Sequence, residues 1–133
     1  MKEYIVDLFE ISLNAGKEIM DIYVTEMKYE DDALKCYAEE DTQGLKAAAR
    51  MIVDSDNMAF IYMLDDGEAF RRVHFVKETW SMLKAHHGAE VILNTDVILT
   101  DFWDELDYLV DNIEDNDNYG EAFESAVKEE FIQ

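Results

Sequence analysis

The side chains in this 133-residue sequence that could act in catalysis are three histidines and one cysteine. His74 lies in the strand-like segment AFRRVHFV, where a single histidine is most often structural. His86 and His87 are adjacent near a predicted helix end, so they point about 100° apart instead of forming an i, i+4 ligand pair. They are better placed to interact with the last carbonyl groups of that helix. Cys36 has no partner nearby in the sequence that would activate it as a nucleophile.

A possible calcium loop begins at residue 115, where the sequence reads DNDNYG. The fifth loop position is Tyr119 instead of Asp or Asn, and the twelfth is Ala126 instead of the bidentate Glu. We therefore interpret the segment as a loop followed by the start of a helix. Together, these residues predict no metal site, no cofactor and no enzymatic activity.

The periodicity of apolar residues predicts one α+β domain over residues 1–133. Residues 3–23 fit a helix, although 22–29 are rich in β-branched and aromatic residues and could begin a strand instead. Residues 39–56 have an acidic entry, an Ala-rich middle and a polar exit, which predicts a helix near 42–54.

The clearest β signal is the pair of segments MAFIYML and AFRRVHFV around the turn 65–68. The Asp-Gly pair in this turn supplies the positive φ angles of a tight hairpin. Residues 77–88 predict a short helix that ends at Gly88, and AEVILNTDVIL predicts a third strand or a buried turn. Two helices are expected near 100–114 and 119–131. The predicted fold is therefore a central antiparallel hairpin or sheet packed by amphipathic helices, two of them at the C-terminus.

The charge of the chain is far from that of an ordinary small domain. Thirty-two acidic residues against 11 basic ones give a formal net charge of −21, whereas a magnitude of roughly 2–8 is enough for solubility. Direct binding to nucleic acid or to an anionic membrane is disfavoured, because both need a basic surface. The sequence has no run of 18 apolar residues and no signal peptide, and its single cysteine fits a reducing, cytoplasmic location.

The acidic residues are concentrated at the two ends of the sequence, and no Lys or Arg occurs between Lys84 and Lys128. On a helical wheel of 101–115, the apolar side chains form one stripe and seven carboxylates lie on the opposite half. Tyr108 lies among these acids, where an exposed aromatic ring could anchor a partner protein or be partly buried by the domain. The predicted partner-binding residues are Asp101, Asp104, Glu105, Asp107, Tyr108, Asp111, Glu114, Asp115 and Asp117.

Two interpretations of this helix stay open. A row of charges is usually a solvated face, but like charges at i+3 and i+4 are destabilising, and here no Lys is interleaved to relieve them. In the second interpretation, the acids are the surface that binds a partner, and that partner is a basic nucleic-acid-binding protein. They would be steered into its positive groove and would exclude its normal ligand.

In size, charge, single cysteine and the stretch DFWDELDYLVDNIEDND, the sequence resembles the small acidic DNA-mimic inhibitors of phages and mobile elements, the Ocr-like antirestriction and anti-CRISPR class. The resemblance implies an inhibitor that blocks a Cas nuclease or a restriction enzyme in the cytoplasm of an infected or host cell, as a monomer or homodimer. A pure mimic would not need the basic pair Arg71 and Arg72, which could pair internally or contact a second surface. The alternatives are an immunity protein against a nuclease toxin and a non-enzymatic acidic adaptor.

Overall fold

The structure is a computed structural model that describes residues 21–115 and 119–132. Its strands are β1 (Asp21–Tyr23), β2 (Glu26–Glu30), β3 (Ala33–Tyr37), β4 (Lys46–Asp54), β5 (Ala59–Asp65), β6 (Phe70–Val76), β7 (Glu90–Leu93) and β8 (Val97–Ile98). The helices in this part are α1 (Trp80–Ala85), α2 (Phe102–Asp115) and α3 (Glu121–Val127). A 3₁₀ turn, Lys77–Thr79, precedes α1, and a π-helical turn, Lys128–Ile132, follows α3.

The strands form two mixed four-stranded sheets. The first has the order β1-β6-β5-β4, with β1 parallel to β6 and the other pairs antiparallel. The second has the order β2-β3-β7-β8, with β3 parallel to β7. The fold is α+β, as the sequence predicts, but the two parallel pairs were not expected from it.

Side chains from both sheets and from all three described helices share one hydrophobic core. Phe60 of β5 and Trp80 of α1 are fully buried, and their ring centroids are 5.3 Å apart. Phe123 of α3 contacts both rings, at 5.8 Å from each. These three rings therefore join α1 and α3 to the first sheet.

The predicted hairpin is confirmed as β5 and β6, whose register runs from Ala59 opposite Val76 to Asp65 opposite Phe70. Its turn is stabilised by the Asp66 carboxylate, which accepts hydrogen bonds from the backbone N–H groups of Glu68 and Ala69, each at 2.8 Å. Residues 21–23 and 26–30 are strands, and the segment AEVILNTDVIL forms the β7–β8 hairpin. The helix predicted over 3–23 lies almost entirely outside the described residues.

The helix predicted near 42–54 is wrong, because residues 46–54 form β4, antiparallel to β5. The high helix propensity of its three alanines amounts to only a few tenths of a kcal/mol per residue. Pairing with β5 and burial of Met51 decide the conformation instead.

The predicted short helix near 77–88 is confirmed as the 3₁₀ turn and α1, and Gly88 follows it with φ of 93°. The two C-terminal helices are confirmed as α2 and α3. Within the described residues, no helix is both long enough and apolar enough to cross a bilayer.

Candidate functional site

The C-terminal acids are positioned by α2, which turns its apolar stripe inward. Phe102, Leu106 and Ile113 of this helix are buried. The side chains on the opposite side are exposed, and they include four acids that we call the acidic row: Asp104, Asp107, Asp111 and Glu114. Successive members are three or four residues apart, so the row places about one carboxylate every 5 Å along the helix axis.

Tyr108 lies within the acidic row and is 70% exposed, the highest value among the exposed large hydrophobic side chains of the described residues. Of the two possibilities open from the sequence, the exposed one is therefore correct. Trp103 at the edge of α2 is half-buried, and its indole N–H donates to the Ala89 carbonyl at 2.6 Å. An exposed phenol ring beside carboxylates can contribute area to a protein interface.

Glu105 was predicted to bind a partner, but the structure gives it an internal contact. Its Oε1 accepts the Met51 backbone N–H at 2.9 Å, next to an irregular register in β4 between Ala47 and Met51. Ala49 in this bulge has φ of 54°, an unusual value for a residue other than glycine. The sequence alone could not show this role, because 54 residues separate Glu105 from Met51.

A buried tyrosine supports the same junction between α2 and β4. The hydroxyl group of Tyr62 donates to the Thr100 carbonyl at 2.6 Å, just before the helix. Burial is the main cause that raises the pKa of Tyr62, and it outweighs the opposite effect of its hydrogen bonds to Thr100 and to the Ala49 backbone. The phenol is therefore neutral at physiological pH and acts as a fixed hydrogen-bonding group.

The remaining predicted partner-binding acids fall at the two ends of α2. Asp101 is exposed and precedes the helix with φ of 58°, and its carbonyl accepts the Glu105 N–H at 3.0 Å. Asp115 is the last helical residue, but its side chain and the whole of Asp117 lie outside the described part of the chain. The structure therefore keeps four acids and Tyr108 on one exposed side of the helix.

Asp107 of the acidic row is paired with His87, a contact that the sequence did not reveal. The His87 Nε2 lies 2.8 Å from Oδ1 and 3.0 Å from Oδ2 of the Asp107 carboxylate. The imidazole ring also packs against Trp103, with 4.7 Å between centroids. The sequence predicted that His87 would interact with the last carbonyl groups of its helix. Its side chain instead pairs with Asp107 and so connects the end of α1 to α2. The sequence could not show this pair, because 20 residues separate the two partners.

The neighbouring His86 makes a different contact. Its ring stacks on the exposed ring of Tyr29 in β2 at 4.1 Å, with only 6° between the planes. The adjacent histidines therefore contact two different elements, His86 the strand β2 and His87 the helix α2. In the described residues, no group of three or more His, Cys, Asp or Glu side chains could hold a metal ion. The DNDNYG segment is only partly described, so its interpretation as a loop stays a prediction.

The basic patch at Arg71 and Arg72 pairs internally. Arg71 Nε lies 3.3 Å from Asp66 Oδ2, and Arg72 Nε lies 2.7 Å from the buried Asp21 Oδ1. His74 Nε2 lies 2.9 Å from the same Asp21 oxygen, which gives His74 the structural role expected of it. Hydrogen bonds from the backbone N–H groups of the turn, with a smaller effect of Arg71, lower the pKa of Asp66.

Cys36 is fully buried in β3, and burial raises the pKa of its thiol to about 12. A neutral, inaccessible thiol is a poor nucleophile. Cys36 is therefore committed to the core and His74 to its pair with Asp21, whereas the acidic row is exposed.

Comparison with known proteins places the chain in a family. Residues 22–131 match the model of UPF0738, described as a family of unknown function. A UPF0738 protein of Staphylococcus haemolyticus is 50% identical over 112 residues, which cover 84% of this chain and 97% of that protein. Relatives from Staphylococcus epidermidis and Staphylococcus saprophyticus are 47% and 46% identical over the same shares of the chains. No solved structure matches the chain.

The resemblance to phage and mobile-element DNA mimics is wrong. It was based on size, charge and one acidic stretch, and these are properties that unrelated proteins can share. The family match covers most of the chain and the relatives named above are staphylococcal proteins, with nothing that indicates an antirestriction or anti-CRISPR protein. The chain belongs to the UPF0738 family.

Proposed function

We propose that this protein is a non-enzymatic binding protein whose acidic row contacts the positively charged surface of a nucleic-acid-binding protein. The observation that carries the proposal is the exposed side of α2, where Asp104, Asp107, Asp111 and Glu114 flank the exposed ring of Tyr108. The helix has no Lys or Arg that would neutralise these acids.

The sign of the charge supports the class of partner. A net charge of −21 repels nucleic acids and attracts basic surfaces over distances of about one Debye length. Such surfaces are typical of proteins that bind DNA or RNA. The spacing of about 5 Å in the acidic row is wider than the roughly 3.4 Å between phosphates along one DNA strand. The row therefore complements a basic surface by sign and would compete with nucleic acid for it without copying its charge spacing.

The proposed function includes no enzymatic activity. The raised pKa of Cys36 and its burial argue against a nucleophile there, and His74 is held between Asp21 and Tyr23. We also propose a cytoplasmic location, because a free buried cysteine is stable in a reducing compartment.

The test is a pulldown with tagged full-length protein from a staphylococcal lysate, with and without nuclease and then heparin. The test variant is D104N/D111N/E114Q, which removes three exposed charges whose side chains make no hydrogen bond or ion pair among the described residues. The matched control is D56N/E68Q/E90Q, which removes the same charge from exposed positions elsewhere.

We expect wild type and control to retain nucleic-acid-binding proteins that heparin displaces. The test variant should recover these proteins in amounts at least about tenfold lower. Equal recovery by the two variants would refute a role for the acidic row. A partner retained through heparin treatment would instead indicate a shape-driven inhibitor of the immunity-protein kind. If wild type recovers no partner, the proposal is wrong and the acidic row is only a solvated surface.

A further inference from the structure

A groove runs along the acidic row, between α2, the end of α1 and the C-terminal π-helical turn. It has a volume of about 520 Å³, within the range of sites that hold ligands. Leu106, Val110, Phe131 and Ile132 form its apolar floor, and Asp111 and Glu114 form an acidic wall. The acids of the proposed partner-binding surface are thus continuous with an apolar depression.

The π-helical turn borders this depression through Phe131 and Ile132. Phe131 of this turn packs inward, with its ring 5.6 Å from Trp80 and 5.9 Å from Phe60. This anchor fixes the turn against the core, while Ile132 lines the groove. π-Helical turns are rare and are frequent at functional sites, because the wider backbone turn moves side chains out of ordinary helical positions.

The charges around the groove favour a cationic occupant. Lys84 and His87 also line it, but the lining has three carboxylates, those of Asp107, Asp111 and Glu114, against the one Lys. Asp111 and Glu114 form no ion pair with a basic side chain of the described residues. A divalent metal is a poor candidate for this position, because the described side chains include no cluster with three metal-binding groups. A cationic segment with an apolar side chain would match both the wall and the floor.

We propose that the groove binds a segment of the basic partner protein in which an apolar side chain lies between Lys or Arg residues. The apolar side chain would cover Val110 and Ile132 above the buried Leu106, and the flanking cations would contact Asp111 and Glu114. This inference rests on the proposed function and adds to it a specificity that charge alone cannot supply. Electrostatic attraction accelerates encounter, whereas a desolvated apolar anchor slows dissociation.

The test uses two synthetic nonapeptides of equal charge, Lys₃-Leu₃-Lys₃ and Lys₃-Ser₃-Lys₃, titrated into the ¹⁵N-labelled full-length protein. In about 0.15 M salt we expect the leucine peptide to bind at least about tenfold more tightly, since one buried aliphatic side chain can account for that factor. Its binding should shift the amide signals of Leu106, Val110 and Ile132. At about 0.5 M salt, the serine peptide should be released and the leucine peptide retained.

Variants locate the apolar contact. Val110→Gln should remove the advantage of the leucine peptide while leaving the affinity for the serine peptide unchanged. Ile98→Gln is the matched control, since Ile98 is an exposed aliphatic residue of β8 that does not line the groove. Ile132→Gln is a second test at the end of the chain, used if the Val110 variant loses its dispersed amide spectrum.

The possible outcomes separate this inference from the proposed function. Equal affinity of wild type for the two peptides, with both lost in D104N/D111N/E114Q, would overturn the apolar groove and keep the acidic surface. Binding of neither peptide would overturn both. Binding of the leucine peptide with shifts confined to another surface would overturn the groove as its location.

Discussion

At the scale of single residues, the contacts of the carboxylates decide which of them can bind a partner. Glu105 and Asp104 are adjacent in the sequence, and both are acids in the first turn of α2. Glu105 faces β4 and accepts the Met51 N–H, whereas Asp104 is exposed. Two neighbouring acids therefore have different roles: Asp104 is a surface residue, and Glu105 is a structural one.

This difference predicts that truncation of the two side chains changes the free energy of unfolding by different amounts. Glu105→Ala should lower the free energy of unfolding by about 1–3 kcal/mol, because it leaves a partly buried N–H donor without its acceptor. Asp104→Ala, the matched control, should change it by less than about 0.5 kcal/mol. Urea denaturation of both variants measures the two values. Similar values for the two would show that the Glu105 contact does not contribute to stability.

The thiol of Cys36 gives a second prediction at this scale. With the pKa raised to about 12 in the folded protein, the thiol is neutral in both states below the usual pKa of about 9. As pH rises above 9, the unfolded state ionises first, so the folded state loses stability. Iodoacetamide should therefore label native protein at pH 8 at least about 100-fold more slowly than urea-unfolded protein, because the thiol is both buried and protonated. Comparable rates, followed by mass spectrometry, would show that β3 opens readily.

At the scale of elements, β4 shows how tertiary contacts overrule local preference. Its alanines favour a helix, yet it forms a strand with a bulge in which Ala49 takes a left-handed conformation. This conformation costs roughly 1–2 kcal/mol for an L-residue. Glu105 and the Tyr62 hydroxyl both bond to the backbone of this bulge, which offsets the strain.

The strain at Ala49 can be tested with glycine. Ala49→Gly should raise the free energy of unfolding by about 0.5–1 kcal/mol, because glycine adopts positive φ without steric cost. Ala48→Gly at the neighbouring position, whose φ is not positive, should lower it by a similar amount. Thermal or urea denaturation gives both values. Destabilisation by both substitutions would contradict the strained conformation.

At the scale of the whole molecule, the charge is high enough to affect the stability of the fold itself. Repulsion among an excess of 21 negative charges opposes the compact state. Several acids relieve this by internal pairing, as Asp21 and Asp66 do with Arg72 and Arg71. The acidic row has the single pair of Asp107 with His87 among the described residues.

Stability should therefore increase with salt. Between about 0.01 and 0.5 M NaCl, where the screening length falls from about 30 Å to less than 8 Å, Tm should rise by several degrees. The variant D104N/D111N/E114Q should have a higher Tm than wild type at low salt and a smaller salt dependence, because its like-charge neighbours at i+3 and i+4 are reduced. Differential scanning calorimetry tests both. A Tm independent of salt would show that the charges are already compensated.

Elements with a local signal could be predicted from the amino-acid sequence alone. The hairpin of β5 and β6 follows from its apolar segments and its turn, and α2 follows from its stripe of apolar residues. The acidic row was visible for the same reason, since helical periodicity fixes which side chains share a face. Composition alone indicated the excess of charge, but the family resemblance inferred from it was wrong.

Features that depend on partners far apart in the chain became visible only in the folded domain. The strand at 46–54 required β5, the role of Glu105 required β4, and the pair of His87 with Asp107 required α1 to lie beside α2. The parallel pairs β1–β6 and β3–β7 join segments that are distant in sequence. Such contacts leave no periodic pattern in the sequence, because their energies come from packing and hydrogen bonds that form only when the whole domain folds.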